Sequence, residues 1–139
     1  MIRILLIIMF LVPPFVNSIE KPLRDLSELQ WENRVLLIWA EDMQESSVED
    51  FTYEIDDRDL IWFLFSKAKV ISNYKGEISD TFFATTTNKY HKPKIKLILI
   101  GKDGGIKSIY SSINLPSVFK SIDVMSMRQS EIKNRPPNS

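Results

Sequence analysis

Apolar residues cluster along this chain in blocks whose internal spacing differs from block to block. Val35-Leu36-Leu37-Ile38-Trp39 is unbroken, short and rich in branched and aromatic side chains, which predicts a strand covered on both faces. Asp59-Leu60-Ile61-Trp62-Phe63-Leu64-Phe65 has the same character and predicts a second central strand. Between them, Ser46 and Glu49 are spaced as a capping box, and Val48, Phe51, Thr52 and Ile55 share a helical face, so a helix is expected over about 47–57. Strand, helix and strand in that order imply a right-handed parallel crossover.

Lys67 to Gly76 reads as a loop with a short edge strand at Val70 to Tyr74. Ser79 or Asp80 is placed to cap a second helix reaching about Tyr90, although Thr85-Thr86-Thr87 is a poor helix interior. Ile95, Leu97 and Leu99 then alternate with Ile98 and Ile100, and Ile106, Ser108 and Tyr110 with Lys107 and Ile109. With Gly101-Lys102-Asp103-Gly104-Gly105 between them, these runs predict a β-hairpin in which Gly104 or Gly105 takes a positive φ. Asn114-Leu115-Pro116 starts a last helix, with Leu115, Val118, Phe119, Ile122 and Met125 on one apolar stripe. Leu23, Leu26 and Leu29, spaced like a helix after Pro22, suggest a short arm packing on the domain. The order β-α-β-α-β-β-α with an antiparallel final pair is that of the thioredoxin-like three-layer α/β fold with a mixed sheet.

The chain's start carries an address. Arg3 precedes an apolar run from Ile4 to Val16, and Val16-Asn17-Ser18 supplies small residues in the spacing of a signal-peptidase site, so residues 1–18 are expected to be a signal peptide cleaved after Ser18. As a helix the run would rise about 20 Å, short of the roughly 30 Å of a bilayer core, and Pro13 and Pro14 weaken a spanning helix further. Export to a periplasm or the extracellular space follows as the expected location. Residues 19–32 are then an N-terminal arm, 33–133 the domain, and 134–139, with Arg135-Pro136-Pro137, a disordered tail.

Composition narrows the chemistry. The chain has no cysteine, which removes disulfides, thiolate nucleophiles and Cys-ligated metals. Eighteen basic and 18 acidic side chains argue against a nucleic-acid binder. No pattern points to a cofactor or a metal: Gly101 to Gly105 lacks phosphate-loop spacing, and His91 is the lone histidine. Lys89, Lys92, Lys94 and Lys96, with Lys102, form a local basic cluster, either a solvated strand end or a surface for an anionic envelope polymer, a lipid headgroup or an exported protein. The pairs Glu41-Asp42 and Asp56-Asp57 read as hydrated carboxylates, and Trp31 and Trp39 as packing anchors.

Trp39-Ala40-Glu41 resembles the start of the thioredoxin redox segment, which would put Met43 and Ser46 at the two cysteine positions, where neither performs thiol chemistry. Four further patterns are similar to a narrower family: Trp31-x-x-Arg34, Arg58-Asp59-Leu60, Leu99-Ile100-Gly101-Lys102-Asp103-Gly104-Gly105, and Ile122-Asp123-x-Met125-x-Met127-Arg128-x-x-Glu131. Together, over about residues 23–133, they resemble the P-DUDES domain of unknown function. That peroxiredoxin-like domain occurs in secreted bacterial proteins and in animal sushi-repeat-containing and equarin matrix proteins. The resemblance implies a thioredoxin-like fold and assigns no activity. One departure is Ser126, where the family usually has proline; Ser126 with Gln129 is placed to cap a short terminal turn.

Arg34, Arg58, Asp59, Asp123, Arg128 and Glu131 flank the apolar runs inside these motifs. They are expected to form a partly buried ion network pinning the last helical segment, with Arg128 as a binder of a ligand carboxylate or phosphate the alternative. No catalytic residue is assigned. The function expected is a non-redox binding or structural module; the alternative is an enzyme whose Asp42, Ser46, Arg58 and Arg128 converge at the end of the first strand.

Overall fold

The two unbroken apolar runs become neighbouring strands. β1 (Arg34–Trp39) and β2 (Leu60–Ser66) pair in parallel, from Arg34 opposite Leu60 to Trp39 opposite Phe65, and every residue of β1 is buried. Only a strand covered on both faces tolerates such a run. The computed structural model describes residues 21–136. The expected signal peptide, its cleavage point after Ser18 and residues 137–139 of the expected tail lie outside them.

Around this pair stand α1 (Glu45–Glu49), α2 (Thr52–Asp57), β3 (Lys69–Ser72), α3 (Phe82–Tyr90), β4 (Leu97–Ile100), β5 (Ile106–Tyr110), α4 (Leu115–Asp123) and α5 (Ser126–Lys133). The sheet runs β3-β2-β1-β4-β5, with every pair antiparallel except β1 and β2. Its faces carry separate cores. Leu36, Ile38, Trp62, Leu64, Leu97 and Leu99 meet Val48 of α1, Ile55 of α2 and Leu115, Val118, Phe119 and Ile122 of α4. Leu37, Trp39, Phe63, Phe65, Ile98 and Ile100 meet Phe82 of α3 and the arm's Leu23, Leu26 and Leu29. These three layers make an α/β fold with a mixed five-stranded sheet, compatible with the thioredoxin-like arrangement, with β3 as an additional edge strand. No helix among the described residues is long and apolar enough to cross a membrane.

Several local expectations change. The single helix over 47–57 is two, broken where Phe51 leaves helical geometry at φ −108°, ψ 25°. Ser46 is no cap: it lies exposed inside the first turn of α1, with Gln44 at the capping position. Ser126 likewise begins α5 rather than capping it, and the expected short turn is an eight-residue helix. The apolar stripe of α4 stops at Ile122, and Met125 sits at the N-cap of α5. The three threonines are accommodated because Phe82 and Thr86, one turn apart, face the sheet, and Thr87 Oγ1 accepts a hydrogen bond from Trp39 Nε1 at 3.3 Å. In the arm, Asp25 and Glu28 form a reciprocal capping box around a 3-10 turn at Leu26–Leu29.

The β4–β5 turn is tied to that arm: the Trp31 N–H donates to Lys102 O at 2.6 Å and Gln30 Nε2 to Asp103 O at 2.8 Å. Gly104 supplies the positive φ, at 83°. Gly104→Ala would force a side chain into that region and is expected to cost about 1 kcal/mol, read as a lower urea midpoint at unchanged slope. Trp31 is not a packing anchor. It is 64% exposed, at φ 71°, a left-handed conformation the arm needs to turn into β1.

Candidate functional site

Parallel pairing of β1 with β2, and the antiparallel course of β4, bring the first residues of two strands and the last of a third to one pole of the sheet. The four motif segments meet there. Arg34, opening β1 and 1% exposed, donates from Nη1 to Arg58 O at 3.0 Å and forks onto Glu131 of α5 at 3.1 and 3.2 Å. Glu131 also accepts from Lys102 Nζ at 2.6 Å, and the same ammonium reaches Asp59 Oδ2 at 2.9 Å. Asp59 holds φ 50°, a left-handed turn between α2 and β2.

A second arm of the network runs through the helices. Arg58 grips Asp123, at the end of α4, through Nε at 3.0 Å and Nη2 at 2.8 Å, with its guanidinium 5.0 Å above the Phe119 ring. Arg128, 3% exposed, donates from Nη2 to Asp57 Oδ2 at 2.7 Å, from Nη1 to Asp57 O at 2.8 Å and from Nε to Asp123 Oδ1 at 3.2 Å. Arg135 closes on Asp57 Oδ1 at 2.6 Å, so the expected tail is anchored at this residue. Among the described residues, no buried side-chain nitrogen or oxygen lacks a partner.

Asp57, Asp123, Arg128 and Glu131 are held in their ionised forms by their partners. Burial alone would push the Asp57 and Asp123 carboxyls up, but hydrogen bonds from Arg128 and Arg135 to the first, and from Arg58 and Arg128 to the second, hold both below the usual carboxylate range. Burial opposes ionisation of Glu131 too, and Lys102 and Arg34 overcome it. Arg128 would be lowered by its burial; Asp57 and Asp123 raise it instead. The Arg128 fork is occupied by the chain's own carboxylates rather than open to a ligand.

All six sequence-chosen charges sit in this network. Asp57, Lys102 and Arg135 belong to it as well, and the sequence reading missed them: Asp57 is not merely hydrated beside Asp56, and Lys102 stands apart from the basic cluster. The signal for Asp57 was its adjacency to Arg58-Asp59. Lys92, Lys94 and Lys96 are exposed near the other pole, whereas Lys89, also exposed, lies apart from them beside Asp25 of the arm and Gly101 of the β4–β5 turn. His91, also exposed, stacks on Trp39 with ring centroids 4.8 Å apart.

Met43 lies between β1 and α1, half-buried against the core, and Ser46 is exposed in the first turn of α1. The proposed catalytic convergence does not occur. Asp42 and Ser46 follow the end of β1, whereas Arg58 and Arg128 gather at its start, a strand length of roughly 20 Å away. Among the described residues no group of three or more His, Asp or Glu side chains has the arrangement to hold a metal ion.

Comparison with known proteins adds one positive finding. No curated protein and no solved structure matches the chain. The family model described as Domain of unknown function (DUF4174) matches residues 25–131, from the Asp25 cap of the arm to the Glu131 carboxylate of the network. With the match covering most of the chain and including all four motif segments, the protein belongs to the DUF4174 family.

Proposed function

We propose that this chain is an exported binding module without redox chemistry, akin to the P-DUDES domains, that docks an extended, acidic segment of another exported protein on β5. The observation carrying this reading is the irregular register between β4 and β5. Ile100 faces Ile106 but Ile98 faces Ile109, so one extra residue intervenes on β5. A bulge of this kind shifts the alternation. It puts both isoleucines on the α3 side of the sheet, 49% and 54% exposed, on a strand with no neighbour beyond it among the described residues.

Edge strands are ordinarily blunted by charge or covered. Here two branched apolar residues are left open beside an unpaired backbone ladder, the arrangement used in strand addition. Lys96, whose N–H donates to Tyr110 O at 2.9 Å, extends β4 beside the end of β5, and the exposed Lys92 and Lys94 precede it, which gives the partner its acidic complement. The signal-peptide pattern of residues 1–18 supports an encounter outside the cytoplasm, and the missing cysteines leave the fold without thiol exchange.

The test is crosslinked capture of the tagged protein from cells that export it, comparing wild type with Ile109→Lys. A protein partner crosslinked to residues 106–110, reduced at least ten-fold by the variant at unchanged melting temperature, is the expected result; the bait's N-terminus reads cleavage after Ser18. Equal capture by both forms, or capture of an anionic polymer that depends only on the lysines, overturns the strand-addition reading.

A further inference from the structure

At the pole opposite the ion network, the ends of β1 and β2 and the start of α3's C-terminal loop line a half-open cleft of about 430 Å³, within the roughly 300–1,000 Å³ of small-molecule sites. We propose that it binds a small zwitterion with an aromatic body, of the amino-acid or dipeptide class. Trp39, Phe65 and Phe83 form its apolar wall. The Trp39 ring is stacked with Phe65 at 5.1 Å and with His91 at 4.8 Å and held by its Nε1–H bond to Thr87, so the wall is preorganised.

Two features of the rim point to a ligand. The first is the turn between β2 and β3. Ser66 faces Lys69, leaving Lys67 and Ala68 as a two-residue connection with φ 47° and 63°. Such a turn favours Asn-Gly, and each ordinary side chain there costs on the order of 1 kcal/mol. Both residues line the cavity; what the strain retains is an ammonium and a methyl group at its mouth.

The second is charge left unspent. Lys67, Lys96, Glu41 and Asp42 all line the cavity, and among the described residues none of their four side chains makes an ion pair or a hydrogen bond, whereas the charged motif residues of the other pole are all paired. Strand order sets them side by side: Lys67 beyond β2, the two carboxylates beyond β1, Lys96 before β4. Two cations and two anions favour a ligand that is neutral overall and carries both signs. An α-ammonium meets Glu41 or Asp42, an α-carboxylate meets a lysine, and the ring packs on the aromatic wall.

The probes are L-phenylalanine, 3-phenylpropionate and 2-phenylethylamine, titrated calorimetrically into the protein. L-phenylalanine is expected to bind at one site at least ten-fold more tightly than either truncated analogue. Lys67→Gln and Asp42→Asn, both at exposed positions, are expected to weaken it about ten-fold without changing the melting temperature. Ala68→Gly relieves the strained φ and removes the methyl group, so it should stabilise the fold while weakening L-phenylalanine. No heat with L-phenylalanine at millimolar concentration, equal affinity for the three probes, or an Ala68→Gly variant that binds as wild type overturns the proposal.

Discussion

Arg128→Ala is expected to destabilise the fold by about 3 kcal/mol, the lower end of the 3–5 kcal/mol typical for removing one partner of a buried ion pair, and to lower the melting temperature by roughly 10 °C. The lower end applies because the carboxylates left behind keep partial solvation: the Asp57 and Asp123 side chains are 24% and 37% exposed. Most of the loss comes from Asp57, whose backbone carbonyl and carboxylate both accept from Arg128 and whose remaining cation, Arg135, is itself exposed. Adding Asp57→Asn to Arg128→Ala should therefore cost less than the two single losses combined, because the stranded charge is gone. Thermal and urea melts of the three variants measure this. A midpoint for Arg128→Ala within error of wild type would show that the network does not fasten the fold.

Acid is expected to undo the same pole. The ordinary carboxyl values are 3.8 for Asp57 and Asp123 and 4.5 for Glu131, and the folded values lie below them. Protons are therefore bound more readily by the unfolded chain as the pH drops through that range. The stabilisation is complete above the unfolded values and is lost as the pH falls through the folded ones. The melting temperature should be flat from neutral pH to about 5 and then fall steeply. Asp25, Glu28 and Asp103 are also held low by local hydrogen bonds and add to the slope, so the diagnostic is the difference between wild type and Asp57→Asn. The variant should start lower at pH 7 and fall less below pH 5. Parallel profiles for the two proteins would remove Asp57 from the acid response.

The sheet was legible in the sequence because its signal is local. β1 and β2 are apolar at every parity, and only a strand buried on both faces satisfies that. The charged set was legible for a related reason: a charge immediately flanking such a run must either leave the core or find a partner. The partners themselves were less visible. Asp57 meets Arg128, and Lys102 meets Glu131, only after the chain has folded, and neither spacing nor composition encodes those contacts. Helix α5 escaped notice as a full helix because its only buried residue is Arg128, so no apolar period marks it. Trp31 misled in the opposite way. Its size suggests a core anchor, while its backbone is committed to a left-handed turn and to Lys102 O, which carries the indole outward.

Helix α5 is thus fastened almost entirely by charge. Lifting it from the pole would uncover little apolar surface, so the heat-capacity change and denaturant sensitivity of that local opening would be small. Its equilibrium would answer instead to protons, and only weakly to salt, because Arg34 and Arg128 are buried. Helix α5 is a part of this protein whose attachment is set by the acidity of the surroundings, while the two apolar layers beneath answer to temperature.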